Sequence, residues 1–270
     1  MISRLAFLLT GLLSLSVPAL AASSETIVTP GGSVKLVTSG VSDSDGRLRG
    51  ALQIALEPGW KTYWRDPGST GIPPRIELLG QEVKGVEILF PAPRSFADPY
   101  GDWAGYDRSV TLPVIFHTPK PGTAPLIESE VMLGICKAIC IPVEAPLVFD
   151  ASAGAEDIQD ALTVQAAFAD LPSEPRSDFR LSVAEKRGNE LLLRVNLPDP
   201  EIPAQLFITA LDGQMTLPSL TERDATAATF ASQVLIAPRH GAHLHYTLVQ
   251  GDEAVAGTVP FPVQVASGAD

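Results

Sequence analysis

The sequence predicts an all-β protein built from antiparallel β-sandwiches, and three observations support this fold class. Short segments in which apolar and polar residues alternate recur along the chain. Clusters containing many of the 22 glycines and 24 prolines separate these segments, as is typical of strands joined by turns. One helix-like segment interrupts the series, and the 270 residues exceed the common size of a single domain. We therefore expect two sandwich domains joined by a helix and a linker.

Residues 1–21 are typical of a secretory signal peptide. Arg4 precedes an apolar stretch over residues 5–15, and the small-residue pattern Ala19-Leu20-Ala21 follows it. The apolar stretch is shorter than the roughly 20 residues that a membrane-spanning helix needs. We expect cleavage before Ala22 and a mature chain that reaches the periplasm without inserting into the membrane. An uncleaved N-terminal anchor is the alternative.

The charge of the mature chain excludes two classes of partner. Removing the signal peptide takes away Arg4 and no acidic residue, so the 19 basic residues become 18 against 31 acidic ones. Such an acidic protein is repelled by nucleic acid and by anionic membranes, and we expect neither as a partner.

The first predicted sandwich, residues 22–154, contains the clearest strand pattern. From Leu48 to Leu56 every second residue is apolar, and polar residues such as Arg49 take the other face. Gly50 interrupts the apolar face, where we expect a bulge. Further strands are predicted at residues 33–38, 75–79, 86–90, 110–117, 126–135 and 141–149.

A helix and a linker are predicted over residues 155–178. The helix runs from residue 155 to Leu171, has acidic residues in its first turn and ends before Pro172. Its buried face is expected to comprise Ile158, Ala161, Leu162, Phe168 and Leu171.

The second predicted sandwich occupies residues 179–270. Turn signals at Gly188-Asn189, Asp212-Gly213 and Gly251-Asp252 separate its segments. Strands are predicted at residues 179–186, 190–197, 206–211, 229–236, 243–249 and 255–265.

Cys136 and Cys140 are the two cysteines of the chain, and the chain must turn between them if they are bonded. Four residues of extended strand span about 13 Å, whereas a disulfide needs Cα atoms within about 7 Å. A tight hairpin with residues 137–139 at its tip would satisfy this limit. A single helical turn would satisfy it as well.

A redox-active pair and a structural disulfide are both compatible with this spacing. The closed loop is very short, so the bond would constrain little of the unfolded chain. A chain of this length builds its cores without a disulfide, and the cation of Lys137 between the sulfurs favours a reactive thiolate. A structural bond is common in secreted domains, and these features weaken that interpretation without removing it. A zinc site is disfavoured because no histidine lies beside the cysteines.

Six short motifs follow one another in a fixed order between residues 33 and 150. They are Leu56-Glu-Pro-Gly-Trp60-Lys-Thr-Tyr-Trp64-Arg-Asp-Pro-Gly68, Gly71-Ile-Pro-Pro74, Pro91-Ala-Pro93, Gly105-Tyr106, Val110-Thr-Leu-Pro-Val114 and the segment from Cys136 to Pro142. This series resembles the N-terminal periplasmic domain of the thiol:disulfide interchange protein DsbD, in the variant of ScsB-type relatives. Beyond Asp178 the chain is consistent with the second sandwich of the ScsB-type region.

The resemblance implies an immunoglobulin-like sandwich whose cysteine pair cycles between dithiol and disulfide without a cofactor. It implies that Cys136 and Cys140 accept electrons from a membrane-embedded conduit and pass them to periplasmic thioredoxin-like proteins. Family analogy makes Cys140 the attacking and Cys136 the resolving residue. The family continues into the conduit, whereas this sequence ends at Asp270, so we expect the protein to take reductant from a separate membrane protein, to work as a stand-alone carrier or to serve another use.

The resemblance also implies a flexible aromatic loop that shields the cysteines. The candidate is the segment from Asp98 to Tyr106, with Tyr100, Trp103 and Tyr106 as shielding residues. The alternative is that Trp103 or Tyr106 packs at the edge of the core. Three other aromatic residues are expected to lie in the core or on a sheet face rather than at the site; they are Trp60, Tyr63 and Trp64.

Two further classes of function remain as alternatives to the redox carrier. A binding or adaptor module would use the disulfide only structurally. A metal carrier would use His240, His243 and His245, of which the last two share one face of a predicted strand. No acidic residue or cysteine stands beside these histidines, so we expect no metal site.

Overall fold

The computed structural model describes residues 23–68, 71–98, 101–154 and 157–262. Within these ranges the chain forms antiparallel strands and one α-helix, so the all-β prediction is confirmed. The predicted signal peptide lies outside the described residues. In the described part of the chain, no helix is long and apolar enough to cross a membrane.

The N-terminal sandwich is formed by eleven strands that build three antiparallel sheets. The strands are β1 (Ile27–Thr29), β2 (Gly32–Thr38), β3 (Arg47–Leu56), β4 (Thr62–Gly68), β5 (Arg75–Leu78), β6 (Gly85–Ile88), β7 (Arg94–Asp98), β8 (Gly101–Tyr106), β9 (Val110–His117), β10 (Leu126–Cys136) and β11 (Cys140–Asp150). Their orders are β1-β2-β3-β9-β6, β11-β10-β5 and β4-β8-β7. The core between the sheets is built from fully buried side chains such as Leu52, Phe116 and Leu133.

Strand β3 confirms the predicted alternation but contains no bulge. Leu48, Leu52 and Ile54 are buried, as expected. Gly50 pairs in unbroken register with Thr38 on one side and Val114 on the other. The prediction of a bulge at Gly50 was therefore wrong. A Cβ there would lie 2.8 Å from the Val37 carbonyl oxygen and 3.1 Å from the Phe116 ring, so glycine is required by close packing.

The helix α1 (Ile158–Ala169) is present, but the face that it buries agrees with the predicted one only at Phe168, which is partly buried. Asp157 caps its N-terminus by accepting the backbone N–H groups of residues 159 and 160. The buried positions are Asp160, Val164 and Ala167, whereas Ile158 and Leu162 are exposed. The helix lies on the outer face of β2 and β3, where small side chains leave a narrow contact.

The C-terminal sandwich has its own core and also contacts the N-terminal one. Its strands are β12 (Arg180–Arg187), β13 (Glu190–Asn196), β14 (Ala204–Ala210), β15 (Gln214–Met215), β16 (Ser219–Arg223), β17 (Ala227–Ile236), β18 (His243–Gln250) and β19 (Glu253–Pro260). They form the sheets β12-β13-β17-β15, with β16 also on β17, and β14-β18-β19. Phe207 of β14 leaves this core and packs against Trp64, with ring centroids 5.8 Å apart.

Candidate functional site

The two cysteines are bonded across the tip of the hairpin formed by β10 and β11. Pairing runs without a break from Leu126 opposite Asp150 to Cys136 opposite Cys140. Residues 137–139 form the tip, and the cysteines are joined by a disulfide. The chain therefore turns through a hairpin here and not through a helical turn.

The position of the cysteines in the ladder brings their sulfur atoms together. The Cys136 N–H donates to the Lys61 carbonyl and the Lys61 N–H donates to the Cys136 carbonyl, both at 2.9 Å. The polar backbone groups of Cys136 thus point away from β11, which makes Cys136 and Cys140 a non-hydrogen-bonded pair. Such pairs have the shorter Cα separation of an antiparallel ladder, about 4.5 Å. The observed Cα separation is 4.1 Å.

The two cysteine residues differ in their exposure to solvent. Cys136 is 1% exposed, whereas Cys140 belongs to the exposed residues of the hairpin tip. A cluster that we call the aromatic cover buries Cys136; it consists of Tyr63, Trp103 and Phe96. An incoming thiolate can therefore reach Cys140 far more easily than Cys136.

The aromatic cover is assembled by ring contacts between three strands. Trp103 of β8 meets Tyr63 of β4 edge-on at 5.7 Å between ring centroids, and it stacks on Phe96 of β7 at 4.1 Å. The ammonium group of Lys61 lies 4.1 Å from the centroid of the Trp103 ring. This arrangement places a positive charge on the aromatic cover of Cys136.

Tyr63 also makes a polar contact with the exposed sulfur. Its hydroxyl oxygen lies 3.2 Å from the Cys140 Sγ, while the residue as a whole is 2% exposed. Two glycines make room for the ring. A Cβ on Gly71 would lie 2.7 Å from it, and one on Gly134 would lie 3.3 Å from it.

The predicted shielding residues have different positions in the structure. Trp103 lies over Cys136, as part of the aromatic cover. Tyr106 packs in the main core and donates a hydrogen bond from its hydroxyl to the Pro91 carbonyl at 2.9 Å, so it does not shield the cysteines. Tyr100 lies outside the described residues. Within the described part of the predicted loop, residues 101–106 form β8, which pairs with β7 from Arg94 opposite Gly105 to Asp98 opposite Gly101.

Sequence reasoning missed three residues of the site. Tyr63 was expected in the core or on a sheet face, and it lies instead against both cysteines. Lys61 and Phe96 were not considered. Tyr63 and Trp64 are adjacent on one strand, so their side chains take opposite faces, with Trp64 in the main core and Tyr63 against the cysteines.

The histidine cluster gives no support to a metal carrier. His243 and His245 are exposed on β18, and burial together with the nearby charge of Arg65 lowers the pKa of His245. Over residues 23–68, 71–98, 101–154 and 157–262, no three His, Cys, Asp or Glu side chains come close enough to hold a metal ion.

Comparisons with known proteins show what the N-terminal sandwich resembles. Residues 34–152 match the family model described as thiol:disulfide interchange protein DsbD, N-terminal. The crystal structure of the N-terminal periplasmic domain of ScsB from Proteus mirabilis is similar with a TM-score of 0.73 and 21% identity, covering 89% of this chain and 98% of that one. The alignment with a marsupial T cell receptor covers 86% of this chain and 97% of that one at 7% identity, but its TM-score of 0.23 is too low to indicate a similar fold. No curated protein matches the chain.

A disulfide at the tip of a β-hairpin, within a sandwich that matches this family model, supports a module of the thiol:disulfide interchange type. More particularly, residues 34–152 form a DsbD N-terminal-like domain. The likeness to the ScsB structure extends over both sandwiches, and the predicted immunoglobulin-like fold is confirmed.

Proposed function

We propose that this protein is a periplasmic thiol:disulfide interchange protein. It carries electrons through a reversible Cys136–Cys140 disulfide from a membrane-embedded dithiol conduit to thioredoxin-like periplasmic proteins. The observation that carries the proposal is the unequal exposure of the two cysteine residues, with Cys140 exposed to solvent and Cys136 buried. A purely structural bond needs no such difference, whereas an exchange reaction needs one accessible sulfur and one protected sulfur.

Loading of the carrier begins at the exposed sulfur. A thiolate of the conduit attacks Cys140 Sγ, a bond forms between the two proteins, and the Cys136–Cys140 bond breaks. Cys136 leaves as a thiolate close to the Lys61 ammonium group that lies over Trp103. The second conduit thiolate then attacks the conduit sulfur of the mixed disulfide and releases Cys140. The conduit dithiol is oxidised to a disulfide, and two electrons reside on the cysteine pair.

Unloading runs through the same sulfur in the opposite direction. The Cys140 thiolate attacks a disulfide of the thioredoxin-like partner and expels one partner sulfur as a thiolate. Cys136 then attacks Cys140 Sγ, restores the intramolecular disulfide and releases the second partner thiolate. Cys136 is well placed for this step because the hairpin holds its Cα 4.1 Å from that of Cys140.

Trapping with single-cysteine variants tests the proposal. The partner is a thioredoxin-like periplasmic protein with one active-site cysteine, activated as an aryl disulfide so that each exchange releases a coloured aryl thiolate. We expect Cys136→Ser to form the mixed disulfide through Cys140. The matched variant Cys140→Ser should react at no more than about one tenth of that rate, because its remaining cysteine is buried.

The reduction potential of the wild-type disulfide separates the proposal from the binding-module alternative. A carrier needs a reduction potential above about −300 mV. Structural disulfides have potentials below this value and therefore resist reduction. A lower potential, together with no adduct from either variant, would establish a structural bond and refute the carrier.

A further inference from the structure

The hydroxyl of Tyr63 is held against the reactive sulfur by packing on several sides. Its oxygen lies 3.2 Å from Cys140 Sγ, within the range of a hydrogen bond to sulfur. The ring is 2% exposed and meets the edge of Trp103 at 5.7 Å. On the opposite side it lies over Gly134, where a Cβ would approach it to 3.3 Å. A tyrosine buried this deeply has its hydroxyl placed by its surroundings rather than by chance rotation.

We propose that Tyr63 is a catalytic residue of the exchange reaction, whose O–H donates a hydrogen bond to Cys140 Sγ whenever that sulfur carries negative charge. This inference rests on the proposed function, because it assigns a role within the same reaction. A phenol O–H is a donor, and a thiolate accepts a hydrogen bond more strongly than a neutral thiol does.

The hydrogen bond acts at both points where Cys140 is a thiolate. When the conduit withdraws, Cys140 is the leaving group, and a stabilised thiolate leaves faster. When the thioredoxin-like partner arrives, Cys140 is the nucleophile, and a larger fraction of the thiol is ionised at neutral pH. In neither step does Tyr63 transfer its own proton. It therefore affects the charge on sulfur without changing the balance of the reaction.

The strands and the hairpin tip around the cysteine pair carry other charged groups, which must be kept constant in any test. Lys61 of β4 lies over Trp103, and Lys137 of the hairpin tip lies 6.0 Å from the centroid of the Trp60 ring. Asp66 lies farther along β4, and Asp102 of β8 precedes Trp103. Replacing Tyr63 by phenylalanine removes one oxygen and leaves all four charges in place.

The test is the pH profile of Cys140 alkylation by iodoacetamide, in a Cys136→Ser background where Cys140 is the one thiol. We expect Tyr63→Phe to raise the apparent pKa of Cys140 by about one unit, since a hydrogen bond to a charged group is worth roughly a factor of ten or more. The more basic thiolate is also a stronger nucleophile, with a Brønsted coefficient of about 0.4–0.5. The variant should thus react about threefold more slowly below both pKa values and about threefold faster above them, so the two profiles cross.

Tyr106→Phe in the same background is the matched control. It also removes a buried hydroxyl from the N-terminal sandwich, but that hydroxyl donates to the Pro91 carbonyl and is not part of the aromatic cover. We expect its alkylation profile to superimpose on that of the parent. An unshifted Tyr63→Phe profile would overturn the proposal, and so would a rate lowered equally at every pH, which would indicate a purely structural role.

The outcome is independent of the test of the proposed function. Alkylation needs no protein partner. An unshifted profile combined with efficient trapping would therefore refute the catalytic role of Tyr63 and still support the proposed redox carrier. A structural disulfide would show itself instead by its potential and by the absence of adducts, whatever the profile of Tyr63→Phe.

Discussion

Asp66 is a partly buried acid in β4, and its burial gives the stability of the protein a specific dependence on pH. Its carboxylate accepts the Gly68 N–H at 3.2 Å, yet burial outweighs this bond and raises the pKa of Asp66 above its ordinary value. At neutral pH the folded state therefore holds an unfavourable charge. As pH falls through the raised folded pKa, the folded state takes up a proton first, and the penalty disappears below the unfolded pKa of about 3.9.

We expect Asp66→Asn to raise the melting temperature at pH 7 by on the order of 1–2 °C and to leave it unchanged near pH 3. Melting curves across this range measure the effect. Asp224→Asn is a control of opposite sign, because the Thr226 backbone N–H and the Arg194 side chain lower the pKa of Asp224. That variant should be less stable at pH 7, with the difference lost as pH falls. A constant offset for Asp66→Asn at all pH values would contradict this account.

The same scale shows which site residues could be predicted. Cys136 and Cys140 are close in sequence, so chain geometry alone requires the turn between them. Tyr63 reaches Cys140 from 77 residues away, through a strand that contains Asp66, Pro67 and Gly68. These residues disfavour strand structure, and the register of β4 on β8 shifts between Tyr63 and Gly68. Tyr63 and the residues after it therefore show no period-two pattern, which would have marked this segment as a strand.

Among the secondary-structure elements, the helix α1 makes the clearest prediction, because its buried face differs from its most apolar one. Val164 is 1% exposed against β2 and β3, whereas Leu162 is 52% exposed. Val164→Ala should lower the free energy of unfolding by about 1–2 kcal/mol through lost burial and a small cavity. Leu162→Ala should change it by less than about 0.5 kcal/mol, as exposed positions do. Urea unfolding of both variants measures the difference. A larger loss of unfolding free energy for Leu162→Ala than for Val164→Ala would instead support the buried face expected from the sequence.

The face of α1 could not be predicted because tertiary contacts decide it. The helix covers Val37 and Ala51, whose small side chains admit only a narrow stripe of Val164 and Ala167. Asp160 joins that stripe since its carboxylate reaches the Lys35 ammonium group at 3.9 Å. Sequence periodicity reports which side chains are apolar, but not the width of the surface they meet.

At the scale of the whole molecule, strand β4 connects the redox site with the second sandwich. Tyr63 faces the cysteines, and the next residue, Trp64, faces the core and contacts Phe207. The Ser95 N–H adds a hydrogen bond by donating to the side-chain oxygen of Gln205 at 3.3 Å. The predicted division at residues 155–178 stays a prediction. The contribution of Phe207 to the N-terminal core could not be predicted, because nothing in the surrounding sequence indicates it.

Phe207→Ala tests whether this contact makes the two sandwiches unfold together. All three tryptophans, at positions 60, 64 and 103, lie in the N-terminal sandwich, so their fluorescence reports that part alone, while far-UV circular dichroism reports both. We expect coincident midpoints in the wild type. Removing a side chain that is 1% exposed should cost about 3 kcal/mol and lower the fluorescence midpoint below the dichroism midpoint. Leu211→Ala, at a position 78% exposed in the same sandwich, should leave the midpoints coincident. Coincident but lowered midpoints for Phe207→Ala would instead mean that other contacts keep the sandwiches one cooperative unit.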